Sequence, residues 1–417
     1  MHSIDAEVLP LPARTPSGGW TTPLLFGIII IAAADRQIMA LLKPILDTTF
    51  GWSARDYAAI STFTQVASAC SFLVAGWLVD RLGPKRTLGI AMTGWSLMTV
   101  LHAVARTVMN FICIRSALGA LEGAGMPSVM KVIATSIERN RRAAVIGYLN
   151  AAPNLAAILT PVLVTVMLSF TDWRSIVIGL GGTGLVLAVL WQFKATSVVS
   201  AELPAYKIQP PYEHKQDIRR MFMVFSASKV FSDATWWITL FWLPDILHSH
   251  FHLNMQTTSA ATGVIYIGAA AGAVLGGVLP SQLNRFTASH EVARRLVMGA
   301  AALCILPMSL IFATSSFPLG IGLLTLALLA HQVFSSNLFA IATEWMPSTQ
   351  VGRLTGMGAF CGNLGGASLL WLTGFVPMPF ILAGCGVAYL AAWGVLAVGA
   401  SPRWLERAFP QFLGANI

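Results

Sequence analysis

Charge is scarce in this chain: Lys, Arg, Asp and Glu together make up 10% of its 417 residues. Soluble domains carry roughly 25%, so a water-soluble globular protein is excluded. Cysteine is sparse and scattered. Cys70, Cys113, Cys304, Cys361 and Cys385 each sit alone in an apolar stretch, with no C-x-x-C pair. That spacing supports neither a disulfide framework nor a metal site, and all five read as core filler. The first 19 residues are polar and contain proline, without the basic start and apolar core of a cleaved signal peptide. The N-terminus is therefore expected to stay cytoplasmic. No nucleotide-binding motif and no cofactor motif appears, so an ion gradient is the expected energy source. A channel would need repeated polar rings along its path, and a membrane enzyme a polar catalytic cluster at one face; neither is visible. We expect a non-enzyme.

What is present is hydrophobicity, with 56% apolar residues and a mean hydropathy of +0.70. Apolar windows long enough to cross a bilayer as helices recur at about 20–42, 57–79, 87–106, 109–136, 142–168, 173–194, 221–247, 258–283, 295–315, 318–345, 352–375 and 378–399. The expected fold is an all-α membrane protein with twelve transmembrane helices. The longest polar connection, 195–220, holds Pro204, Pro210, Pro211 and mixed charges. It reads as a cytoplasmic linker between a six-helix half, 1–194, and a second half, 221–417. Such a layout suggests pseudo-symmetric repeats with a substrate site at the midplane between them. The repeat itself is faint at the level of residues.

The net charge of +9 would invite a nucleic-acid partner, but its placement argues otherwise. With both termini inside, eighteen bases fall in cytoplasmic segments: Arg14; Arg81, Lys85 and Arg86; Arg139, Arg141 and Arg142; Lys194, Lys207, Lys215, Arg219 and Arg220; Arg285, Arg294 and Arg295; Arg353; Arg403 and Arg407. Only four, Lys43, Arg55, Arg106 and Arg174, fall outside. This is the positive-inside pattern of a multi-pass protein in a bacterial-type inner membrane. The partners expected are lipid, protons and a small organic anion, with no nucleic acid; a monomer is the default.

Seven charges are left inside the spans: Asp35, Glu122 and Asp233 against Arg36, Arg115, Lys131 and Lys229. Asp35 and Arg36 lie about midway along the first span. A charge at the bilayer centre costs on the order of 2.5–3.5 kcal/mol, so such groups point to function. Burial favours neutral carboxylic acids while arginine stays charged. If Asp35 and Glu122 take up protons, the field around Arg36 becomes more positive and an anion binds better, which is proton–anion symport written as linkage.

The motif Gly76-Trp77-Leu78-Val79-Asp80-Arg81-Leu82-Gly83-Pro84-Lys85-Arg86 follows the second span. It places a carboxylate at a helix end where a neighbouring helix N-terminus can donate to it, with bases to pin the loop. At every defining position it resembles the loop between helices 2 and 3 of the major facilitator superfamily. Within that superfamily the chain resembles the anion:cation symporter group, and most of all its hexuronate transporters of galacturonate and glucuronate. The resemblance runs nearly the whole length. It rests on Asp35-Arg36-Gln37 with Leu42-Lys43-Pro44; on Arg115, Gly119, Glu122-Gly123-Ala124, Pro127 and Lys131; on Asn150-Ala151 and Asn154; on Lys229 to Trp237 with Leu240 to Pro244; and on Ala330-His331-Gln332 with Ser336 to Phe339. It implies that Asp35 and Glu122 couple protons, that Arg36 anchors the substrate carboxylate, and that Gly76, Asp80, Arg81, Gly83, Lys85 and Arg86 form a conformational latch closing when the protein faces outward. Where the group carries an Asn-Tyr before the D-R pair and a tyrosine in the second span, Ala32, Ala33 and Ser68 stand here. That leaves a roomier, more apolar pocket.

Further candidates for substrate binding are Ser68, Asn150, Asn154, Lys229, Trp237, Gln332, Asn337 and Asn363, with Arg115, Lys131 and Asp233 as supporting charges. Each has an alternative. Arg115 and Lys131 can snorkel to an interface. Lys229 and Asp233, four apart, can form a helix-surface pair. Trp236, Trp237 and Trp242 suit an interface belt as well as a pocket wall. His331, Gln332 and Asn337 either join helices or face ligand. His248, His250 and His252 lack a carboxylate shell for metal. Glycines repeat every four residues at Gly119/Gly123, Gly268/Gly272/Gly276 and Gly358/Gly362/Gly366, a spacing that lets helices touch. A second functional reading, proton-driven export of a bulkier or antibiotic-like carboxylate, fits the roomier pocket. It is disfavoured by the missing glycine-flanked G-P element around Pro153 and Pro161.

Overall fold

The computed structural model describes residues 20–137, 139–195, 215–287, 289–346 and 348–408. Among them every regular element is helical: α1 Thr21–Phe50, α2 Ala54–Leu82, α3 Pro84–Leu101, α4 Val108–Glu122, α5 Gly125–Ser136, α6 Arg139–Leu168, α7 Trp173–Lys194, α8 Lys215–Phe251, α9 Met255–Leu283, α10 His290–Ile305, α11 Phe317–Glu344, α12 Ser348–Leu372, α13 Met378–Gly399 and α14 Pro402–Ala408. Short 3-10 segments, His102–Val104 and Leu306–Ala313, extend α3 and α10. Nine segments among the described residues are long and apolar enough to cross a membrane. The three remaining predicted windows fall on α4 with α5, on α8 and on α12. Helix α8 begins at Lys215, inside the stretch expected to be linker; residues 196–214 lie outside the described set.

Helix ends follow local chemistry. Gly51, at φ 67°, closes α1 in the left-handed conformation that glycine adopts without a Cβ penalty. Two residues later Ser53 and Asp56 form a reciprocal capping box at the start of α2. Thr107 and Asn110 do the same for α4, and Asp172, Asn254 and Ser289 cap α7, α9 and α10. Gly83, at φ 80°, and Pro84 at the first turn of α3 make the α2–α3 bend. The fourth predicted span is not continuous: at Gly123 and Ala124 a turn divides α4 from α5.

The glycine ladders seat three helix pairs. A Cβ on Gly272 would lie 2.2 Å from the Leu329 carbonyl oxygen, and one on Gly268 2.4 Å from Thr325 Cγ2, so α9 lies directly on α11. Gly358, Gly362 and Gly366 accept Phe225, Asp233 and Trp237 of α8 against α12, while Gly119 and Gly123 accept Ser68 and Ser71 of α2 against α4. At the end of the bundle carrying the α1–α2 turn, one apolar core draws on α1, α2, α4, α6 to α9 and α11 to α13. At the opposite end the core divides: one cluster is built from α1 to α7, around Trp95 and Trp191, the other from α8 to α14, around Phe334 and Tyr389. The apolar core is thus shared among helices of both sets at the first end and separate at the second.

Polar contacts add to the shared core at the first end. Lys43, assigned by sequence to an outer segment, is only 5% exposed. Its Nζ donates to Asp47 Oδ2 at 2.7 Å and to Asp245 Oδ1 of α8 at 2.8 Å, and lies 5.4 and 5.2 Å from the Tyr57 and Trp242 ring centres. Tyr57 Oη donates to the Phe241 carbonyl at 2.9 Å, and Arg55 Nε to the Gly374 carbonyl at 3.2 Å. Two bases counted as cytoplasmic are also interior. Arg294 pairs with Glu291 at 2.6 Å, and Arg295 donates to the carbonyls of Leu396 and Ala400, closing off the end of α13. Long stems and several donors let these side chains serve helix ends from within.

Candidate functional site

Neighbouring residues on a helix point about 100° apart, and that separates Asp35 from Arg36. Arg36 faces a cavity of about 460 Å³, open part included, lined by Thr64, Gln65, Ser68 and Phe72 of α2, Arg115 and Glu122 of α4 with Gly123, Trp237 and Phe241 of α8, and Asn363 of α12. Its Nε donates to Glu122 Oε2 at 2.8 Å. The Arg36 side chain is 38% exposed and that of Glu122 5%, so the carboxylate is sequestered while the guanidinium still meets the cavity. Asp35 is fully buried behind this wall. Its Oδ1 accepts from Thr99 Oγ1 of α3 at 2.8 Å, and its backbone carbonyl accepts from Arg115 Nη1 at 3.1 Å.

Four of the charges predicted within the spans therefore form one network from α1 to α4. In it, Asp35 Oδ2 and Glu122 Oε1 are buried with no hydrogen-bond partner among the described residues. A buried oxygen without a donor is costly for a carboxylate and easily satisfied when a proton sits on the group. Arg115, 1% exposed, does not snorkel; it anchors the network.

The cavity brings together Arg36, Ser68, Arg115, Glu122, Trp237 and Asn363 from the sequence candidates. Others lie elsewhere. Lys229 and Asp233 pair with each other at 2.7 Å, with Lys229 over the Phe339 ring. Asn337 Nδ2 donates to the Gly276 carbonyl at 2.9 Å, joining α11 to α9. Gln332 and Asn154 are half-buried on α11 and α6, away from the cavity lining. The Asn150 side chain lies outside the described residues. Trp236 stacks on His331 at 5.0 Å, and His331 bonds Tyr389, so these groups are interior and join helices.

In the loop after α2, Asp80 pairs with Lys131 of α5. Lys85 Nζ donates to the Ala195 carbonyl at 2.7 Å and so ties the loop to the end of α7, and Arg81 lies over Trp77. Gly76 and Arg86 are exposed. Sequence reasoning missed Thr64, Gln65, Phe72 and Phe241 as lining residues. Gln65 carried a usable signal, an amide in the middle of an apolar span; Phe72 and Phe241 carried none, because an aromatic in a span is ordinary.

A polytopic helical bundle with ionisable side chains around an interior cavity defines a membrane transport protein. Residues 24–369 match the family model of the Major Facilitator Superfamily, and the chain belongs to that family. Its relatives include a gallate transporter of Pseudomonas putida, 25% identical over 90% of this chain and 90% of that one. A hexuronate transporter of Bacillus subtilis (strain 168) is 25% identical over 89% of this chain and 92% of that one. The D-xylose-proton symporter structure superposes with a TM-score of 0.72 at 13% identity, covering 90% of this chain and 96% of that one, which shows the shared fold. The chain is a multi-pass transporter, not an enzyme.

Proposed function

We propose that this protein is a proton-coupled symporter of an organic anion, a hexuronate or related carboxylate, working by alternating access. Twelve membrane-crossing helices in two pseudo-symmetric halves, 1–194 and 221–417 joined by the linker 195–220, rock about the cavity, with both termini cytoplasmic and one chain as the working unit. The observation that carries the reading is the Arg36–Glu122 pair at 2.8 Å beside a buried Asp35, with one unpartnered oxygen on each carboxylate. Protons on Asp35 and Glu122 release Arg36 toward the cavity, where its remaining donors hold the substrate carboxylate. Loss of the protons returns Arg36 to Glu122 and expels the anion. Moving a monoanion into a negative interior costs about 2.3 kcal/mol per 100 mV, so one proton neutralises the step and two drive it.

In this reading the shared core and the Lys43–Asp245 bond lie at the outer end, and the state is open to the cytoplasm. The Asp80 loop, in which Asp80 pairs here with Lys131, engages when the other state forms. The relatives named for gallate and hexuronate transport support an organic-acid substrate. The test is uptake into proteoliposomes with an imposed inward proton gradient, together with thermal shift at acidic and alkaline pH against galacturonate, glucuronate and less hydroxylated carboxylates. Accumulation that collapses with a proton ionophore is expected. Uptake indifferent to the gradient refutes the coupling.

A further inference from the structure

Asp35 is fully buried and is not among the residues that line the cavity. The lining beside it carries the guanidinium groups of Arg36 and Arg115, which repel an approaching proton. Away from the cavity, the polar contact of its carboxylate runs to α3. Thr99 Oγ1 donates to Asp35 Oδ1 at 2.8 Å, while Oδ2 has no partner among the described residues. Three residues further on, in the 3-10 extension of α3, stands His102, 2% exposed. Side chains three apart on a helix are neighbours, with Cβ atoms about 5–6 Å apart.

The contacts of His102 fix its tautomer. Nδ1 lies 2.8 Å from the Met98 carbonyl oxygen and 3.3 Å from that of Thr99. A carbonyl only accepts, so Nδ1 carries the hydrogen and Nε2 of the neutral ring keeps its lone pair. Nε2 is buried without a donor among the described residues. An idle buried acceptor is costly, so an imidazole held in this way points to use of that lone pair. The ring rests on Phe111 of α4 at 5.7 Å, and the charge of α4 that acts on it is Arg115. From α1 the nearby acid is Asp35, through Thr99; α7, which packs on this 3-10 segment, has its charges, Arg174 and Lys194, at its two ends. Arg115 repels an imidazolium, so the ring passes a proton on rather than storing it. Four and five residues beyond His102, Arg106 and Thr107 are exposed. They lie at the end where Phe111 meets Trp52 at 4.7 Å, the outer end in the reading above.

Resting on the symport proposed above, we propose that His102 relays protons from the outer side to Asp35, so that proton and substrate reach the site by separate routes. A hydronium ion outside protonates Nε2 and leaves water. The imidazolium then yields that proton to an Asp35 oxygen, directly or by way of one water molecule, which gives a neutral carboxylic acid and restores the imidazole.

A relay alters the rate at which Asp35 is protonated and leaves every equilibrium where it was. The test uses the full-length protein in proteoliposomes with gallate and glucuronate as probes. In His102→Gln, which has no group to protonate, uptake driven by an inward proton gradient should slow about tenfold or more. Exchange of the same anion at equal acidic pH on both sides, the dissociation constant across pH and the melting temperature should all stay as in the parent. His102→Asn, whose amide can keep the bond to the Met98 carbonyl, is the second variant should the first not fold. Gradient-driven uptake at the parent rate overturns the relay. Uptake and exchange slowing together also overturn it, since that marks a structural role for His102. A displaced pH dependence of binding overturns it as well, because His102 would then hold a coupled proton itself. In each of these cases symport by the parent protein still stands. If the parent shows no gradient-driven uptake of either probe, the symport reading fails and the relay falls with it.

Discussion

Replacing Glu122 with glutamine is the most informative perturbation of the Arg36–Glu122 pair. Glutamine keeps the shape and one carbonyl oxygen but is permanently neutral, so it stands in for the protonated acid. A charge-assisted hydrogen bond contributes about 1.5–3 kcal/mol net. Here the arginine side chain is 38% exposed, and solvent screening brings the usable part down to roughly 1.4 kcal/mol, a factor of ten in an equilibrium constant. A substrate carboxylate must compete for Arg36 against Glu122, so the variant should bind the anion about tenfold more tightly at alkaline pH. Under the proposed coupling, affinity in the parent protein should rise toward acid, and in Glu122→Gln, which lacks the competing charge at every pH, the pH slope should flatten. Coupled uptake should disappear, since the anion is no longer expelled on deprotonation. The assay is the dissociation constant at acidic and alkaline pH together with gradient-driven uptake in proteoliposomes. An unchanged alkaline affinity with the full pH slope intact would refute the competition.

Arg36→Lys should lose anion binding by about tenfold or more despite keeping its charge, because a point ammonium cannot serve Glu122 and a substrate carboxylate with a planar fork; wild-type affinity by direct titration would contradict the anchor role. Lys43→Met removes the bond to Asp245 that links α1 to α8. It should shift the state balance about tenfold toward opening at that end, a loss of about 1.4 kcal/mol, read as widened distances between spin labels at Thr49 and Phe380; unchanged distances would count against a gate. Gly272→Val forces a side chain onto the Leu329 backbone, where nothing can yield. It should cost roughly 1–3 kcal/mol or more and lower the melting temperature, whereas Gly277→Ala, with open space at its Cβ position, should not; equal melting temperatures would refute the close approach of α9 and α11.

Much of this architecture is written locally. Runs of apolar residues require helices in a membrane because each backbone N–H and C=O must find its partner within the segment. Hence the span windows were readable from neighbours in the chain, and the structure adds the local caps at Ser53, Thr107 and Asn254 that set helix ends. The glycine ladders at Gly119, Gly268 and Gly358 announced close approaches, since only a missing Cβ permits them. The cost of charge in a bilayer singled out Asp35, Arg36 and Glu122 without any coordinates. Partner choice was another matter. Arg36 meets Glu122 86 positions away, and Lys43 meets Asp245 202 positions away. Helical periodicity tells which face a side chain occupies but not which helix will lie against that face. For that reason Lys43 and Arg295, assigned by sequence to the outer and cytoplasmic segments, turn out to be interior, whereas the Lys229–Asp233 pair, four apart on one helix, was readable as an alternative from spacing alone. The lining of the cavity is likewise a product of tertiary packing: Phe72, Trp237 and Phe241 are ordinary apolar residues until the fold brings them to the same cavity as Arg36.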